Sequence, residues 1–262
     1  YYNQSLSPEQ KEEANSINQA PQVEYEKTLN WKIDNLKALF EKEQLQILED
    51  QRFKHYFDVN QWWVTDYAVF SVLRDRNQTP DFRQWQKMSS YNKREAEAML
   101  RSNTEDAQLA WFYIFVQFHL QQQLEEAIHH AHNKNIAFKG DLPIGINPNS
   151  VEAWVDPSQF NFGLQAGAPP DFFSASGQNC GFPTYNWETM KKDDYAWWQQ
   201  RLGRMQQFFD AFRIDHILGF FRIWSIPKPF SDGIMGHFDP ALPLDKDELK
   251  RFNFYSDPEY FT

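Results

Sequence analysis

Apolar positions in the first half of the chain recur at helical spacing. Leu29, Ile33, Leu36 and Phe40 fall three or four residues apart, with Val23 leading in, and Trp63, Tyr67, Phe70 and Leu73 repeat the pattern. Each series lines one face of a 3.6-residue period and predicts an amphipathic helix. A longer series, Leu109, Phe112, Val116, Leu120, Leu124 and Ile128, predicts a helix from about Glu105 to His132, roughly 40 Å long at 1.5 Å per residue. It ends at Asn133-Lys134-Asn135, where asparagine tolerates the left-handed conformation of a C-terminal cap. Residues 1–20 show little apolar periodicity. They read as a polar lead-in to a helical subdomain over residues 21–135.

The punctuation then changes. All ten glycines lie at or after Gly140, together with 11 of the 14 prolines, so long helices give way to shorter elements with more turns. Residues 136–144 form an apolar run broken by Gly140 and Pro143 and predict a buried strand. Residues 145–187 read as a long loop. Tyr195, Trp198, Leu202, Met205 and Phe208 share one face of a helix from about Asp194 to Phe209, and residues 211–217 predict a second strand. Strand, crossover helix, parallel strand is the unit of an α/β fold. It places Asp141 and Asp215 near the C-terminal ends of neighbouring strands, the edge where α/β sheets and barrels build ligand sites. Aspartate after a strand also forms turns, so position alone leaves both residues open.

Composition narrows the function classes. The chain has 262 residues, 41% hydrophobic and 24% charged, with a net charge of −10. An acidic surface repels phosphate backbones and argues against nucleic acid as a partner. One cysteine, Cys180, excludes an intrachain disulfide and a multi-cysteine zinc site. No apolar run nears the ~20 residues that span a bilayer, and the N-terminus has no signal-peptide pattern, so a cytoplasmic location without membrane attachment is expected. His129, His130 and His132 sit at a helix end, where the dipole favours imidazoles and where adjacent side chains diverge by about 100°. No metal site is expected there. The glycines form no dinucleotide or P-loop fingerprint, so no cofactor is expected.

Three stretches carry more specific information: residues 139–145 (Lys-Gly-Asp-Leu-Pro-Ile-Gly) continuing through Trp154, residues 167–187, which contain Pro169-Pro170-Asp171-Phe172-Phe173 and Gly177-Gln178-Asn179-Cys180-Gly181, and residues 213–221 (Arg-Ile-Asp-His-Ile-Leu-Gly-Phe-Phe). Together they resemble the 4-α-glucanotransferases of glycoside hydrolase family 77, the amylomaltases or disproportionating enzymes, and are most similar to the plant cytosolic branch and its bacterial relatives. The resemblance implies an α/β fold, a partial (β/α)8 TIM barrel segment with a large helical subdomain. The barrel segment would span residues 136–227, with residues 228–262 a C-terminal extension or the start of an insertion. It also implies a retaining transglycosylase acting on maltooligosaccharides and α-glucans.

Such chemistry uses one carboxylate as nucleophile and a second carboxyl, about 5–5.5 Å away, as acid and then base. By the resemblance, Asp215 is the nucleophile. Arg213, two residues earlier on the same strand face, is expected to donate to it and keep it ionised. His216, Asp171, Gln178 and Asp141 would shape the site and hold sugar, with Asp141 acting mainly by positioning. Phe172, Phe173 and Tyr185 would form aromatic walls for glucose rings. Two features depart from the family. Cys180 stands where many members carry tryptophan, and a thiol cannot supply an indole platform. The family's glutamate acid/base motif and its early Ser-Pro-Tyr-type motif are both missing. The expectation is therefore an internal segment of a longer enzyme, inactive and prone to self-association by itself. The alternative is a non-catalytic α-glucan-binding or interaction module.

Overall fold

The structure is a computed structural model that describes residues 6–241 and 246–251. The chain divides into two compact units, residues 1–126 and 127–262.

The first unit is helical: α1 (Pro8–Asn18), α2 (Tyr25–Glu49), α3 (Gln51–Asn77), α4 (Lys93–Arg101) and the start of α5 (Glu105–His132). The expected lead-in is thus partly helix. Ser7 caps α1, accepting from the Gln10 amide while the Gln10 side chain accepts from the Ser7 amide. This reciprocal cap forms a helix that buries none of its residues. Asp50 ends α2 and caps α3 at once, its carboxylate accepting from the Arg52 amide at 2.7 Å. Val64, Ala68 and Val72 repeat every four residues and are fully buried, so α3 is the central helix of this unit. They join Phe40, Phe53, Phe112, Phe115 and Phe118 in one core, where rings meet edge-on or tilted, as for Phe53 and Phe118 at 5.4 Å. The single apolar stripe expected on α5 is too narrow. Ala110, Phe112, Tyr113, Ile114 and Phe115 are all buried whereas Leu120 is exposed, because the helix is apolar almost all round in its first half.

The second unit opens at the end of α5. Asn135 adopts φ +56, and the Ile136 amide donates back to the Ala131 carbonyl at 3.0 Å, a left-handed cap of the expected kind. β1 (Lys139–Leu142) then pairs in parallel with β4 (Ala211–Ile214) in a two-stranded sheet. α8 (Ala196–Gln206) lies between them in sequence, as expected for a crossover.

Residues 145–187 are not the expected loop. They contain α6 (Val151–Val155) and the antiparallel pair β2 (Phe160–Ala168) and β3 (Gln178–Tyr185), followed by α7 (Trp187–Lys192). β5 (Ile223–Pro227) and β6 (His237–Asp239) complete a four-stranded sheet in the order β3-β2-β5-β6. β2 slips register against β3 at Asn161/Gln165 and at Gln165/Gly167. Those bulges break the period-two alternation that marks a strand in sequence. Gly167 permits the close approach, since a Cβ there would meet the Gln178 carbonyl oxygen and the Ile226 side chain. Residues 228–241 hold a short turn and β6, and α9 (Lys246–Arg251) follows. The remainder of the expected extension, residues 242–245 and 252–262, lies outside the described residues. No helix among the described residues is long and apolar enough to cross a membrane.

Candidate active site

An open cleft of about 400 Å³ is lined by residues 143–148 after β1, by residues 180–182 of β3 and by Asp215. Asp215 is the one carboxylate in that lining among the described residues. Its amide donates to the Leu142 carbonyl at 3.2 Å, carrying the parallel ladder one residue past β4. His216 then turns at φ +50 and starts the short helical turn Ile217–Phe220. The strand ending earlier than residue 217 thus leaves Asp215 at the rim of the sheet, where ligand sites form.

Arg213 does not donate to Asp215. It is the register partner of Asp141 on the neighbouring strand, and it donates to that carboxylate through Nε at 2.9 Å and Nη2 at 2.5 Å. The planar fork matches the two carboxylate oxygens of its lateral neighbour. Hydrogen bonds from Arg213 hold the Asp141 carboxyl below the usual aspartate range. Asp141 in turn raises the Arg213 pKa, and Asp215 adds only a weaker attraction through space.

The other expected residues are dispersed. Asp171 forms a tight turn, accepting from the Phe173 and Ser174 amides at 2.9 and 2.8 Å. Phe172 and Phe173 stand out on that turn at 97% and 90% exposure, edge-to-face at 5.6 Å. Gln178 begins β3 opposite Ala168 and is exposed. His216 is exposed and lies against Gly219. Tyr185 differs from the aromatic wall expected of it. It is 5% exposed, packed among Phe160, Trp187, Trp197 and Trp198, and its hydroxyl donates to the Ile144 carbonyl. Eight residues of β3 carry it from the exposed turn into the core.

Cys180 also lines the cleft, and desolvation pushes its thiol pKa up, away from an activated thiolate. Sequence reasoning missed Phe182, against whose ring Gly145 sits so closely that a Cβ would collide. A glycine directly after Pro143-Ile144 was the available signal. No cluster of metal-ligating side chains occurs among the described residues.

A family model described as 4-alpha-glucanotransferase matches residues 2–254. The 4-alpha-glucanotransferase DPE2 of Oryza sativa subsp. japonica is 43% identical over 227 residues, covering 87% of this chain and 24% of the rice protein. A 4-alpha-glucanotransferase of Synechocystis is 31% identical over 230 residues, covering 84% of this chain and 45% of the relative. Among solved structures, the amylomaltase of Streptococcus agalactiae in complex with acarbose aligns with a TM-score of 0.71 at 26% identity, over 87% of this chain and 46% of that one. The chain therefore spans between a quarter and a half of the length of these relatives, and its fold is part of the α/β barrel architecture they share. A family match over nearly the whole chain means that this chain belongs to the 4-alpha-glucanotransferases of glycoside hydrolase family 77.

Proposed function

We propose that the full-length polypeptide carrying this chain transfers α-1,4-glucan segments between maltooligosaccharides or glucans by a retaining double displacement, with Asp215 as the nucleophile. The observation that carries this reading is the position of Asp215, alone among carboxylates in the described lining of a cleft at the C-terminal edge of β1 and β4. Its carboxylate attacks the anomeric carbon, and the leaving glucan departs with a proton. A sugar hydroxyl then attacks from the face the leaving glucan vacated, opposite Asp215, giving its proton to the acid/base carboxyl as the Asp215 carboxylate departs. Two inversions thus retain the configuration. The Asp141–Arg213 pair links the two strands at neighbouring register positions.

Retention needs a second carboxyl about 5–5.5 Å from the first, and the described lining supplies none. With the family's glutamate motif also missing from the sequence, the acid is assigned to a glutamate outside this chain, and the 262-residue chain by itself is expected to be inactive. The exposed Phe172–Phe173 pair is assigned to sugar stacking, where aromatic faces and C–H-rich ring faces complement each other.

Product analysis tests the reading. The full-length polypeptide incubated with maltotriose is expected to give glucose together with longer glucans, and D215N to lose that transfer by at least about 10³-fold, the scale at which removal of a covalent nucleophile shows. Transfer that survives D215N would favour the binding-module reading for this cleft. Shorter glucans alone would indicate hydrolysis.

A further inference from the structure

The wall of the cleft formed by residues 143–146 is held from behind. Arg201 on α8 donates from Nη2 to the Pro143 carbonyl at 2.8 Å and from Nη1 to the Tyr185 hydroxyl at 3.4 Å. The Tyr185 hydroxyl passes its own hydrogen to the next carbonyl, that of Ile144. Two consecutive backbone carbonyls are thus captured by two side chains that are bonded to each other. The guanidinium is fixed in turn, lying 5.0 Å over the Trp197 ring and 5.2 Å over the Trp198 ring. Burial raises the Tyr185 pKa to about 12, so the phenol keeps its proton as a donor.

What this clamp holds leads directly to Asp215. Ile144 is buried, and its Cδ1 lies against Gly219, in the helical turn that begins two residues after Asp215. Gly145 presses against the ring of Phe182 on the facing wall. The Asp215 amide bonds to Leu142, one residue before the clamped strip. A shift of the Pro143–Ile144 backbone therefore displaces both the cleft wall and the turn on which the nucleophile rides.

We propose that Arg201 and Tyr185 are positioning residues for the Asp215 cleft, acting through the carbonyls of Pro143 and Ile144 rather than by touching the sugar. The inference deepens the assignment of Asp215 as nucleophile and rests on it. The effect belongs in kcat, because misplacing a nucleophile by a fraction of an ångström raises the barrier more than it weakens ground-state binding.

The test uses Y185F, R201M and R201K in the full-length polypeptide, with D215N alongside. Y185F and R201M are expected to speed amide hydrogen exchange across residues 144–147 by about ten-fold, the loss of roughly one net hydrogen bond. Exchange across residues 223–227 of β5, in the same unit as the clamp, should stay at the wild-type rate, which shows that this unit still folds. Both variants should lower kcat on maltotriose by about ten- to a hundred-fold with KM within about two-fold. R201K, which keeps the charge and one donor, should recover part of both effects. Unchanged exchange in Y185F and R201M overturns the clamp, and faster exchange with wild-type kcat overturns its positioning role. Turnover that survives D215N defeats the nucleophile assignment and the positioning role with it, while the exchange arm still reads the clamp.

Discussion

The carboxylates of the site differ in how they are held. Asp141 is paired in a bidentate bond to Arg213, whereas Asp215 hydrogen-bonds through its backbone and lines the cleft. The Asp141 pKa is lowered by that partner, so the pair contributes fully above the unfolded aspartate value of about 3.9 and fades as pH falls through the lower folded value. A carboxyl-carbon NMR titration should place the Asp141 midpoint below that of a free aspartate, and R213M should return it to the ordinary range. A midpoint unmoved by R213M would show that the pair does not set it. Asp215 was legible in the sequence because it ends an apolar strand within a long family motif. The partner of Arg213 was not, since strand register decides it and register is a matter of pairing across 72 residues. Arg201 was still less legible. In sequence it is one polar residue of an amphipathic helix, and its role appears only when Pro143 and Tyr185 fold against it.

At the scale of elements, the β2–β3 hairpin depends on backbone that side chains disfavour. Gly177 and Gly181 have φ of +70 and +73, a region costing an L-residue roughly 1–2 kcal/mol. Their surroundings separate them. A Cβ at Gly177 would meet the Ala168 carbonyl oxygen and Gly233, while at Gly181 it enters open space. G181A should cost about 1 kcal/mol in urea unfolding from conformation alone, and G177A distinctly more because the hairpin must also open. Equal costs would mean that the packing against β2 and Gly233 adds nothing.

Helices α2, α3 and α5 were readable from helical apolar spacing, although α5 buries more than the one stripe read for it. β1 and β4 were readable as short apolar runs, although each strand is shorter than its run. The hairpin was hidden by its bulges and by Gly and Pro at positions that mark loops elsewhere. α1 was hidden because its only apolar residues are Ala14 and Ile17, it buries none of its residues fully, and it depends on its cap.

For the whole molecule, the second unit carries a strand pair that is incomplete as a sheet. β1 and β4 pair only with each other among the described residues, and Ile214, Ile217, Leu218 and Phe221 around the end of β4 are exposed. Open edges and apolar faces of this kind are closed in a barrel by further strands, in keeping with a chain that covers 24% to 46% of the relatives described above. A complete barrel would cover that surface with neighbouring strands.

The most direct measurement is to trap the glycosyl-enzyme intermediate. The full-length polypeptide is treated with a maltosyl fluoride fluorinated at C5 of its reacting ring, which slows turnover of the covalent adduct, then digested and sequenced by mass spectrometry. The expected result is one maltosyl-type adduct on Asp215, absent in D215N. An adduct on another carboxylate, or products of inverted anomeric configuration with no adduct, would contradict the assignment of Asp215 as the nucleophile.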